Sequence, residues 1–124
     1  MVQFAAALAF FIGLAHSVLG ERYILVRLFR REDLPKIFGS DSFTRGTLRF
    51  GWHLTTVAWW GFAAILICAT CNVTNLRSNI LYIISIVFFL SGLMSGGFTR
   101  GRHLSWIVFF AISGLSAYAA TFGS

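Results

Sequence analysis

The chain has 124 residues, of which 57% are hydrophobic and 11% charged, with mean hydropathy +0.78. Soluble domains carry about 25% charged residues, so this composition excludes a surface solvated by water all round and points to lipid as the main solvent. The formal net charge of +6 comes without an aromatic-interleaved basic platform for stacking bases, so it is read as membrane topology and excludes nucleic acid as a partner.

The first apolar run, Val2–Leu19, has no Lys or Arg before it, and its charges only follow it, from Glu21 and Arg22. A signal peptide wants a positively charged n-region, so the run is expected to be a retained helix, about residues 2–20, with its N-terminus outside. Ala6, Ala9, Gly13, His16 and Gly20 recur on it at spacings of three and four, and Glu21 follows at its edge. Small residues on one face let helices approach closely in lipid, where little hydrophobic drive exists between them.

A polybasic loop of about 21–46 follows. It opens with the amphipathic "RYILVRLFRR", which either extends the first helix or lies among headgroups. Pro35 and Gly39 break it, and Ser40 or Asp41 is placed to cap the next helix. The second helix is expected over about 47–70, with Arg45 and Arg49 on a cytoplasmic overhang. It carries Trp52 at interface depth, Trp59 and Trp60 near mid-membrane, and the Cys68/Cys71 pair at its far end. A third helix over about 79–98 carries Ser85, Gly92, Ser95 and Gly96. Arg100 and Arg102 sit in the next turn, His103 opens the fourth helix, about 103–122, and Ser113, Gly114, Ala117 and Ala120 lie along it.

Each run approaches the ~20 residues that cross a hydrocarbon core of about 30 Å. The runs are continuous, which favours helices over alternating strands. The expected fold is therefore all-α: one integral membrane four-helix bundle. Lys and Arg concentrate in segment 21–49 and in the turn between the third and fourth helices. By the positive-inside rule these face the cytoplasm, giving N-out/C-out topology in a bacterial inner membrane.

This topology puts His16, His53 and His103 in one layer near the cytoplasmic leaflet, with Glu21 beside them. Arg49 and His53 share a helical face at i and i+4. Ionisable groups in a membrane are costly and seek partners. Three chemistries fit: a transition metal ion held by the histidines and Glu21; haem clamped by two histidines; or an anion, lipid headgroup or quinone site using Arg45, Arg49, Arg100 and Arg102. The structural reading is that the histidines bond backbone carbonyls or headgroup water. No fixed ligand spacing distinguishes these readings.

Cys68-x-x-Cys71 at the other face is a candidate redox pair. With the helix count, it resembles the membrane thiol oxidases of the disulfide-bond-formation type, which work with quinone. The chain departs from them in having a single cysteine pair, placed after the second helix, so their activity is not carried over. Helical rise separates His53 from Cys68 by about 22 Å, so the two sites are distinct. Asn72-Val73-Thr74 is a glycosylation triplet too close to the membrane to serve as a good acceptor. Small multidrug transporters match in length and helix count, but the first run lacks their embedded glutamate. Ser17 has only the adjacent His16 as a sequence neighbour, and the two point different ways on a helix, so no hydrolytic triad is legible.

The functional expectation is a non-enzymatic membrane protein, a homo-oligomer or accessory subunit in the lipid bilayer, with a ligand or metal site in the histidine layer. The alternatives are a redox protein using haem or quinone, and a small proton-coupled transporter working through His16, His53 or Glu21.

Overall fold

A computed structural model describes residues 1–71 and 74–123. Among these the regular structure is all helical, with one isolated bridge between Ile37 and Ser40 and no strand. Four helices are long and apolar enough to cross a membrane: α1 (Val2–Leu28), α2 (Ser42–Thr70), α3 (Leu76–Phe98) and α4 (Ser105–Phe122). Asn72 and Val73 of the glycosylation triplet lie outside the described residues.

The ends differ from the sequence expectation for local reasons. α1 runs on through the amphipathic stretch to Leu28, as a π-helical turn over Gly20–Leu25 followed by Val26–Leu28. The Val26 N–H donates to the Glu21 carbonyl, five residues back. α2 begins at Ser42 rather than near 47, and α3 at Leu76 rather than near 79. Asp41 stands at the N-cap of α2, but its side chain makes no cap bond. Its carboxylate pairs with Arg45 at 2.6 Å instead, one turn into the helix. Ser40 Oγ accepts from the Ser42 N–H at 3.4 Å.

The helices pack in chain order: α1 on α2, α2 on α3 and α3 on α4. Among the described residues α1 meets neither α3 nor α4, so the four form an open row and not a closed ring. The α3–α4 seam is built of small and hydroxylated residues. Ser85 Oγ donates to the Ser113 carbonyl at 2.9 Å, Ser78 Oγ donates to the Ala120 carbonyl at 3.0 Å, and Tyr82 and Thr121 hydroxyls meet at 2.9 Å. Gly92 lies under the Phe110 ring, 2.9 Å from where a Cβ would stand. α2 and α3 approach tightly at Gly46, where an added Cβ would run into the Phe98 carbonyl.

The loop between α1 and α2 is clamped from α2. Arg45 donates to the carbonyls of Phe29 and Arg31, and its guanidinium lies 5.9 Å from the Phe29 ring centre. Arg31 forks onto Asp33 at 2.8 and 2.5 Å, and that hydrogen bond holds the Asp33 carboxyl below its usual range.

Candidate functional site

The α1–α2 seam carries a connected set of polar side-chain contacts between two of the apolar spans. Ser17 and Glu21 are four residues apart on α1 and therefore share a face. Arg49, His53 and Thr56 recur at spacings of four and three on the facing side of α2. The structure brings these five side chains together. Arg49 forks onto Glu21, Nε donating to Oε2 at 3.2 Å and Nη2 to Oε1 at 2.6 Å. Such bidentate pairs are the strong form of ion pair. His53 Nε2 lies 3.1 Å from Glu21 Oε2, and its Nδ1 lies 2.7 Å from Ser17 Oγ. Ser17 Oγ is 3.0 Å from Thr56 Oγ1, which donates to the Gly13 carbonyl at 3.1 Å.

These contacts form one chain graded in exposure. The Glu21 side chain is 32% exposed, His53 is 19%, and Thr56 is 2%. The chain thus opens at the end of the protein that carries the Arg45-clamped loop and closes inside the seam. From residue 21 to residue 13 the helical rise is about 12 Å, less than half of a hydrocarbon core.

The hydrogen inventory of the chain is informative. Four contacts run from Glu21 to the Gly13 carbonyl. Thr56, Ser17 and a neutral imidazole supply one hydrogen each. Against an ionised Glu21, only an imidazolium at His53 puts one hydrogen in every contact: Nε2–H to Glu21, Nδ1–H to Ser17, the Ser17 hydroxyl to Thr56, and the Thr56 hydroxyl to Gly13. With one proton fewer, one contact holds two facing acceptors. The seam is therefore fully bonded when it carries one proton beyond the neutral ring.

Ser17, His53 and Glu21 also form a nucleophile–base–acid sequence that sequence reasoning missed, because it paired Ser17 only with His16. Acyl transfer further needs donors aimed at a developing oxyanion. Ser17 lies inside α1, where backbone N–H groups are committed to helical bonds, and its hydroxyl is shared with Thr56. The arrangement suits movement of a proton better than attack on a carbonyl.

The other two histidines are held apart from this chain. His16 stacks on Trp52 with ring centres 4.6 Å apart and planes 2° from parallel, and meets Trp59 edge-on at 5.1 Å. Trp52 Nε1 donates to the His16 carbonyl at 3.1 Å across Gly20, where a Cβ would collide with the indole. His103 belongs to the turn before α4. Its N–H donates to Thr99 Oγ1 at 3.2 Å, its Nδ1 lies 2.7 Å from Ser105 Oγ, and its ring packs on Phe43 and Phe50. All three rings do rest against the same end of α2. They are not gathered into one ligand set, however, and among the described residues no group of three or more His, Cys, Asp or Glu is placed to hold a metal ion.

The arginines also separate. Arg45 and Arg49 have carboxylate partners, Arg102 lies 5.8 Å from the Phe38 ring centre, and Arg100 is exposed in the turn with φ +52°. Cys68 is half-buried and Cys71 exposed, both as free thiols, at the opposite end of α2. No protein-family model matches this chain, and neither a curated protein nor a solved structure matches it.

Proposed function

We propose that the protein is a small proton-coupled membrane protein of the transporter class, with His53 as the proton-binding group. Glu21 and Arg49 set the charge at its entrance, and Ser17 and Thr56 complete its hydrogen-bond chain. The observation that carries this reading is the four-contact chain whose hydrogens balance with one added proton. Ionisable side chains at membrane depth are functional candidates by default, and this set is mutually bonded. Because the chain ends at a helix carbonyl about 12 Å in, it suits binding and release from one side and not conduction across the bilayer. Proton release leaves two facing acceptors between α1 and α2 and so favours their separation, which is the coupling step.

A row of four helices encloses no path of its own, so we infer that a second copy or a membrane-protein partner completes it. The proposed setting is a bacterial inner membrane with N-out/C-out topology. The basic segment 21–49, which holds Arg22, Arg27, Arg30, Arg31, Lys36, Arg45 and Arg49, and the mouth of the chain then face the cytoplasm.

The test is proton uptake by the purified protein in lipid nanodiscs, stepped between about pH 5 and 8, where histidine changes charge. We expect His53→Gln to take up about one proton fewer per chain than the wild type. Equal uptake by wild type and His53→Gln would overturn the proposal.

A further inference from the structure

α1 is longer than a bilayer core is thick. Its 27 residues, Val2–Leu28, rise about 40 Å against a hydrocarbon thickness of about 30 Å. With Val2 at the opposite boundary, the segment from about Arg22 onward stands at headgroup depth. It exposes the apolar side chains Ile24 and Val26 beside Arg22 and Arg27, which are exposed too. Apolar and cationic groups exposed together suit the boundary between acyl chains and headgroups.

Tyr23 joins the two arginines. The guanidinium carbons of Arg22 and Arg27 lie 5.6 and 5.7 Å from the centre of its ring, within cation–π range. Five residues make about 1.4 turns of an α-helix, which would carry Arg22 and Arg27 apart. The π-helical turn over Gly20–Leu25 contains Arg22 and ends just before Arg27. Its bonding from one residue to the fifth along sets residues five apart more nearly above one another. The turn thus brings two like charges to one ring.

Neither guanidinium has a carboxylate partner among the described residues. The chain has four acidic side chains. Glu21 is held by Arg49 and His53, Asp33 by Arg31 and Asp41 by Arg45, and Glu32 stands in no ion pair. Two converging cations repel each other until an anion neutralises them.

We propose that Arg22, Tyr23 and Arg27 bind the phosphate headgroup of an anionic membrane lipid. Guanidinium forks match phosphate oxygens, and Tyr23 holds both forks in place. The acyl chains reach the bilayer past Val18, which is exposed one turn nearer its centre than Arg22. The ammonium of a zwitterionic headgroup would face two cations, so a net negative headgroup is selected. Free phosphate would meet the same charges and leave the apolar surface uncovered. These residues lie outside the proton chain, so the site stands or falls separately from it.

The experiment uses the full chain with nitrogen-15-labelled arginines in phosphatidylcholine nanodiscs at physiological salt. Phosphatidylglycerol is added stepwise and the arginine Nε resonances are followed by NMR. We expect saturable shifts at Arg22 and Arg27, each assigned by its loss in Arg22→Lys or Arg27→Lys. Arg22→Gln should move the Arg27 midpoint to about fivefold more anionic lipid, or about 1 kcal/mol. Arg100→Gln removes an exposed charge from the α3–α4 turn at the same end and should leave that midpoint in place. The Arg49 resonance, forked onto Glu21, reports an intact seam in each variant. Equal effects of Arg22→Gln and Arg100→Gln would mean a diffuse surface field and would overturn the site. Wild-type shifts that grow in proportion to anionic lipid without saturating would overturn it as well. The same saturable shifts from millimolar inorganic phosphate in pure phosphatidylcholine discs would overturn the lipid as the occupant.

Discussion

Glu21 is the residue on which the α1–α2 seam turns. It accepts both arms of Arg49 and faces Nε2 of His53, so its loss strands a guanidinium and an imidazole together. Hydrogen bonds to charged groups are worth about 1.5–3 kcal/mol. Interhelical bonds between neutral groups in membranes average about 0.6 kcal/mol. Glu21→Gln is therefore expected to destabilise the protein clearly more than Thr56→Val, in unfolding titrations in mixed micelles. A second contrast separates function from stability. Ser17→Ala removes the neutral link next to His53 and leaves the Arg49–Glu21 fork, so it should change the pH dependence of His53 ring nitrogen resonances while costing little stability. An unaltered nitrogen titration would mean that Ser17 only packs.

At the scale of the elements, close helix approach depends on particular glycines, and the structure distinguishes those that touch from those that do not. Gly46 is buried with the Phe98 backbone carbonyl directly over it, whereas Gly51 has open space around it. Backbone cannot swing aside as a side chain can. Gly46→Ala is thus expected to push α2 off the end of α3 and cost about 1–3 kcal/mol, the usual cost of overpacking. Gly51→Ala should be neutral or stabilising, by up to about 1 kcal/mol through helix propensity. Thermal unfolding of the two variants side by side checks the difference, and equal effects would remove the argument for close approach at Gly46. Such contacts were only half legible in the sequence. The four spans follow from composition and length, because hydrocarbon thickness dictates them. The faces follow too: Ser17 with Glu21, and Arg49 with His53, are i,i+4 pairs in any helix. What periodicity does not contain is which face meets which, so the same spacing that put Glu21 near His16 in depth left its pairing with His53 unseen.

At the scale of the whole molecule, the open row divides labour between its two outer seams. The α3–α4 seam is held by serines, small residues and aromatic packing, and carries no ionisable pair among the described residues. The α1–α2 seam carries the Glu21–His53–Ser17–Thr56 hydrogen-bond chain on one side and a groove walled by Trp52 and Trp59 on the other. Which compartment would supply the proposed proton depends on orientation, because the Glu21 end of the hydrogen-bond chain lies with the 29–41 loop, and Cys71 marks the opposite end. Cys71 is an exposed free thiol just past α2, so it serves as a native reporter. With N-out/C-out topology, a membrane-impermeant maleimide added to intact bacterial spheroplasts should label the wild type. Cys71→Ser should lose most of that labelling, since Cys68 is half-buried in α2. Labelling that appears only after lysis would place the basic segment 21–49 outside, against the positive-inside rule. It would also reverse the side from which the proposed proton reaches His53.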